Sequence, residues 1–211
     1  IQNELFRAQI NASEPLKKNL WKQTIEAKIR NQARLLEKKG IKGAQLNHLA
    51  KTVKSGDSDN REGFAARLYW NSLFGKTFIR DRYGEPPNMY LNYGYILLRS
   101  AVARALAGSG LLATLGIHHR NRYNAFCLAD DIMEPYRPWV DEIVLTIIEK
   151  WPGQMMLEKD QKAELLQLMA ADAKIGENRR PLMVALSQTT ASLARCFTGE
   201  TRKPVLPGSS E

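Results

Sequence analysis

A chain of 211 residues, 44% of them apolar, is long enough to bury one sizeable core or two small ones. Its net charge of +9 and pI near 9.6 call for a polyanionic partner, nucleic acid or an anionic surface. No stretch approaches the ~18 apolar residues of a membrane span, no basic-then-apolar start resembles a secretion signal, and Cys127 and Cys196 alone make neither a disulfide framework nor a thiolate zinc site. A reduced cytoplasmic compartment and no membrane partner are the expectation.

Residues 1–12 read as a linker or the remnant of a preceding domain, with room for a strand or two. From Ser13 to Lys39 the pattern turns helical: Leu16, Leu20, Ile25, Ile29, Ala33 and Leu36 recur at helical steps behind a Ser13 cap and Pro15, and Gly40 ends the run. Eleven Lys or Arg against two Glu lie between Lys17 and Lys54, Lys17, Lys18 and Lys22 among them. That run reads equally as a solvated face or a phosphate-binding one. A second helix is expected over Lys42–Val53, then a loop with several candidate caps at Ser55–Asn60, then a helix over Asn60–Arg80 with Glu62 in its first turn. On position alone Glu62 compensates the helix dipole.

Asp81–Asn88, with Gly84 and the Pro86-Pro87 pair, predicts a mobile loop. Leu91–Ala107 is apolar on most sides and belongs in the centre of the domain, ending at Gly108-Ser109-Gly110. Further helices are expected over Val140–Trp151, Lys159–Ala173 and Pro181–Phe197, with a basic loop over Gly176–Arg180. Gly, Pro and Ser from Gly199 onward suggest a flexible tail, 199–211. With no sustained strand alternation, the fold class is all-α, in one helical domain over 13–198.

The densest chemistry lies in Gly116–Pro138, GIHHRNRYNAFCLADDIMEPYRP. Asp130, Asp131 and Glu134 follow an apolar turn at spacings that share a helix face, and His118 and His119 sit on the loop before them. Carboxylate oxygens with a neutral imidazole and no thiolate suit Mg2+ or Mn2+ over zinc. The same acidic residues equally fit a helix start, and paired histidines equally fit a surface. Pro135 should kink or end the turn that carries Asp131 and Glu134.

Three blocks in order, DNREGFAARLYWNSLFG from Asp59, LNYGYILLRSAVARAL from Leu91, and GIHH with NAFCLADDIMEPYRP, closely resemble the CRISPR-associated spacer-acquisition integrase, the first Cas protein, in its type II form. The resemblance covers about Gln9 to Cys196 and implies a metal-dependent DNA endonuclease and integrase of the catalytic helical domain. In that family the 3′-hydroxyl of a new spacer attacks the CRISPR repeat. Carried over by motif, it implies Glu62, His119 and Glu134 as metal ligands and catalytic groups. His118, Asp130 and Asp131 then support them, with Asp131 either binding metal itself or holding a ligand. Arg120, Arg122 and Arg137 would contact phosphate, joined by Lys17, Lys18 and Lys22. The implied partners are double-stranded protospacer and repeat DNA, the second Cas protein, and a second copy in a full-length homodimer. The resemblance also implies a β-rich domain ahead of the helical one, which a chain beginning at Ile1 is expected to lack. A non-catalytic helical nucleic-acid-binding module is the alternative.

Overall fold

Ser13 opens the longest helix. In the computed structural model, which describes residues 2–208, its hydroxyl accepts the amide of Leu16, Pro15 fills the first turn, and α2 (Glu14–Lys38) runs until Gly40 turns the chain with φ 74°. Leu20, Trp21, Ile25, Ile29, Ala33 and Leu36 of α2 are buried, the stripe the periodicity predicted. Lys28, Asn31 and Gln32 are buried with them. Against this stripe pack α3 (Ala44–Lys51) and α4 (Arg61–Phe74). Asn60 caps α4 from a left-handed backbone at φ 52°, a conformation asparagine tolerates. The expected helix to Arg80 stops at Phe74 instead, because Gly75 takes φ 90°.

The loop that follows is tied down by one side chain. Asn88 Oδ1 accepts from Arg80 and from the amide of Asp81, while its amide donates to the carbonyl of Ile79. Next comes α5 (Asn88–Gly108), central as its apolar surface required, lying against α6 (Cys127–Met133), α7 (Arg137–Lys150) and α9 (Leu182–Phe197). Gly94 lets α5 and α7 approach, since a Cβ there would stand 2.4 Å from Val140 Cγ1. Pro135 acts as its chemistry dictates: α6 ends at Met133, one 3-10 turn spans Glu134–Tyr136, and α7 begins afresh.

Three expectations need correction. Residues 2–10 are not a linker or strand: they form α1 (Gln2–Ile10), which lies on α9 and is pinned where Gln9 trades hydrogen bonds with the backbone N–H and C=O of Leu112, both at 2.9 Å. The helix over Lys159–Ala173 is shorter, α8 (Lys159–Leu166). A 3-10 turn follows, and then β1 (Asp172–Ile175) pairs antiparallel with β2 (Asn178–Pro181), where the basic loop was expected. Ala173 and Ile175 point into the core, and Gly176 turns the hairpin at φ 58°. The segment after α9 is also fixed. Val205 accepts from Thr189 and donates to Ser192, and Pro207 bridges to Ile175. Residues 209–211 of the expected tail lie outside the described residues. The fold class stands as all-α with one small hairpin.

Candidate active site

Glu62 and Glu134 come from separate helix starts and meet. Asp57 accepts the amides of Arg61 and Glu62, at 2.8 and 3.1 Å, fixing the backbone that carries Glu62. Glu134 opens the 3-10 turn after α6, and Asn31 of α2 donates to the carbonyl of Pro135 at 2.9 Å, holding that turn against the long helix. Between the two carboxylates lies the ammonium of Lys28, 2.5 Å from Glu62 Oε1 and 2.5 Å from Glu134 Oε2. Arg137 takes the other oxygen of Glu134 at 2.8 Å and stacks over the ring of Tyr95 at 4.1 Å. Burial works against charge on Glu134, but Arg137 and Lys28 outweigh it and hold the carboxyl well below the usual range. Burial likewise works against the charge on Lys28, and Glu134 and Glu62 overcome it, so its pKa is raised.

His119 comes from the loop to the cleft that Glu134 also lines. Asp131, fully buried, accepts the amides of Ile117, His118 and His119 and meets His119 Nδ1 at 2.5 Å. Both of its oxygens are spent on holding the loop, so Asp131 fixes His119 and leaves Nε2 as the imidazole's open nitrogen. That bond comes first in raising the pKa of His119, against partial burial. Gly116 is what lets the loop fold so tightly, since a Cβ there would stand 2.4 Å from the carbonyl oxygen of His119 and 2.8 Å from Asp131 Oδ2. His118 points elsewhere: its ring lies parallel on Trp21 with centroids 4.1 Å apart. Asp130 lines the same cleft as His119 and Glu134 but is engaged by Arg99 at 2.8 Å and Asn124 at 2.6 Å.

His119 and Glu134 line a cleft of about 700 Å3 whose walls carry Arg82, Arg99 and Arg137 beside Asn92 and Asn124. A second cleft of about 520 Å3 lies on the other side of His119, walled by Lys17, Arg120 and Arg122. Arg120 is exposed and pairs with Glu14 at 2.5 Å, and Arg122 lies against the phenol of Tyr123. Arg137, expected on phosphate, is engaged by Glu134 at the cleft floor. Lys22 pairs loosely with Glu26 at 3.6 Å, and Lys18 covers Gly56. Lys28 is the residue the sequence reading missed, counted there as one cation of a basic face. Its signal was its register, since Trp21, Ile25 and Gln32 place it on the buried stripe of α2.

The donor set fits Mg2+ or Mn2+: two carboxylates already share one cation, the imidazole offers nitrogen, and no thiolate is near. Glu134 Oε2 is a buried oxygen with no well-formed hydrogen bond, met by the Lys28 charge alone. Among the described residues, no three His, Cys, Asp or Glu side chains stand grouped for a metal as they are. None of the described helices is long and apolar enough to cross a membrane.

The family model described as CRISPR associated protein Cas1 matches residues 2–170. The chain belongs to the Cas1 family. The CRISPR-associated endonuclease Cas1 of Neisseria meningitidis serogroup C (strain 8013) is 37% identical to this Cas1 chain over 204 residues, covering 96% of the chain and 67% of that protein. The protein named CRISPR-associated endonuclease Cas1 1 of Francisella tularensis subsp. novicida (strain U112) is 29% identical over 199 residues, 82% of this chain and 63% of its own length. The chain thus spans about two thirds of the length of these two curated relatives. Its fold matches a casposase bound to integration product, with a TM-score of 0.78 at 21% identity over 95% of this chain and 66% of that one. A Cas1 protein from Thermotoga maritima gives 0.75 at 16% identity over 96% and 70% of the two chains. A chain of a Cas6-RT-Cas1–Cas2 complex gives 0.73 at 21% identity, covering 95% of this chain and 26% of its own.

Proposed function

We propose that this Cas1 chain is the catalytic helical part of a DNA endonuclease and integrase that inserts new spacers into a CRISPR array: the 3′-hydroxyl of incoming double-stranded DNA attacks a repeat phosphodiester, the new ester forms as the repeat's own P–O3′ bond breaks, and the repeat's 3′-hydroxyl leaves. The observation that carries this reading is the meeting of Glu62 and Glu134 on one cation, beside a basic cleft that His119 and Glu134 line. Glu62, Glu134 and Nε2 of His119 would hold Mg2+ or Mn2+, which when bound supplies Lewis-acid polarisation to a phosphodiester. The chain's own residues do the rest. Arg82 and Arg99 on the cleft wall hold phosphate oxygens, Asp131 keeps the imidazole turned outward from its Nδ1, and Arg137 keeps Glu134 ionised. The likeness to a chain of a Cas6-RT-Cas1–Cas2 complex supports the second Cas protein as partner; a homodimer and a cytoplasmic location belong to the same proposal.

The full-length protein should nick branched DNA and join a 3′-hydroxyl end to a repeat duplex with Mn2+ or Mg2+, and should stop when the metal is chelated. Glu62→Gln, His119→Ala and Glu134→Gln should each abolish that transfer and keep most DNA affinity, because phosphate contacts elsewhere supply it. His118→Ala should be milder, its ring being on Trp21. Salt-sensitive DNA binding with no metal-dependent strand chemistry would assign the chain to the non-catalytic module, a reading that the Lys28 charge between the carboxylates favours.

A further inference from the structure

The cation that Glu62 and Glu134 share is the chain's own. Lys28 rises from the middle of α2, 5% exposed, with its ammonium 2.5 Å from an oxygen of each. Two carboxylates held so near one another in a poorly solvated place repel, and burying them uncompensated costs heavily. With Lys28 and Arg137 set against Glu62 and Glu134, the cluster is formally neutral.

Lys28 is not what holds the two carboxylates in position. The turn bearing Glu134 is fastened by Asn31, and Arg137 fastens its carboxylate; the start of α4 bearing Glu62 is fastened by Asp57. The contact from Lys28 to Glu134 Oε2 is a charge contact without well-formed hydrogen-bond geometry, so a cation that takes its place breaks one directional bond, the one Lys28 donates to Glu62 Oε1. Building on the reading of Glu62 and Glu134 as metal ligands, we infer that Lys28 is an internal counter-cation. It occupies the place between the carboxylates in the free protein and leaves the pair when a divalent ion enters. Lys28 thereby sets how tightly this site takes metal. A tethered ammonium competes at every moment, and removing its charge removes both the competition and the repulsion a divalent ion meets.

Calorimetry with Mn2+ on the full-length protein tests this. Lys28→Met, which keeps the stem, and Lys28→Gln, which keeps a donor without the charge, should each bind Mn2+ at least tenfold more tightly than the parent. A damaged fold does not produce a gain in affinity. In the parent, labelled lysine followed by nitrogen NMR should show the Lys28 ammonium slowed in exchange without metal, and that signal should move or vanish on Mg2+ addition. Equal or weaker Mn2+ affinity in both variants, or an ammonium signal unchanged at Mg2+ saturation, overturns the inference. If Glu62→Gln and Glu134→Gln abolish Mn2+ binding while the Lys28 variants leave it unchanged, the metal assignment survives and the counter-cation falls. If the two glutamate variants bind Mn2+ as the parent does, the metal assignment itself fails and takes the counter-cation with it.

Discussion

His119 owes its place to a carboxylate with no exposure of its own. Asp131 accepts three consecutive amides and the imidazole, so a change there acts on the loop before it acts on any metal. The bond raises the pKa of His119 above its ordinary 6.5, so its stabilisation is fully present below 6.5 and is lost as pH rises through the raised value. Asp131→Asn should bring the titration of His119 back down, as read by proton NMR, and should speed amide exchange at Ile117 and His118. Gly116→Ala belongs to the same unit. Its added methyl meets backbone on one side and Asp131 on the other, so it should displace His119, abolish strand transfer, and cost about 1–3 kcal/mol in denaturant unfolding. The motif made His119 legible from sequence, but the division of labour between His119 and His118 was not. It rests on Trp21, almost a hundred residues upstream and invisible to any local pattern.

Between helices, one buried carboxylate joins the scaffold to the site. Asp141 of α7 accepts the hydroxyl of Tyr69 from α4 at 2.7 Å and that of Tyr95 from α5 at 2.5 Å, and the ring of Tyr95 is the floor under Arg137. Burial raises its pKa to about 6, with the two tyrosine bonds opposing, from a usual value of 3.8. A folded value above the unfolded one means a contribution fully present below 3.8 and lost as pH rises through about 6, on the order of 3 kcal/mol. Asp141→Asn should therefore flatten stability against pH across that window in urea melts. Gly94→Ala should destabilise by about 1–3 kcal/mol in the same assay, because α7 stands where its methyl would go. Element order was legible wherever apolar residues recur over three turns or more. It failed where the strands are four residues each, too short to show a period, and where Gly75 ended α4 ahead of the aromatic residue Phe78 that its stripe included.

For the molecule as a whole, the charge of +9 is only partly available to a polyanion. Lys38, Lys39 and Lys54 are answered by Glu142, Glu149 and Asp59, Arg34 lies over Trp139, and Lys28 is internal. Lys17 lines the cleft walled by Arg120 and Arg122, and Lys18 and Lys22 follow it on the first turns of α2, Lys22 loosely paired with Glu26. Changing these three to Gln should weaken DNA binding broadly and flatten its salt dependence by about one unit of slope for each phosphate no longer neutralised. An unchanged slope would show that the face is merely solvated. A charge count from sequence says that a partner is anionic. It does not say which cations are already spent, because that depends on glutamates and aspartates brought close by the fold.

Asn31 carries a consequence for how the protein is made. Its amide binds the carbonyl of Pro135 and also that of Pro207, partners 104 and 176 residues away along the chain. During synthesis, α2 emerges early and the turn bearing Glu134 midway, yet the amide that fastens that turn gains its second acceptor only once residue 207 has left the ribosome. Until then α2 is fastened to the Glu134 turn but not to the segment that follows α9, so the two anchors of one side chain form at different times.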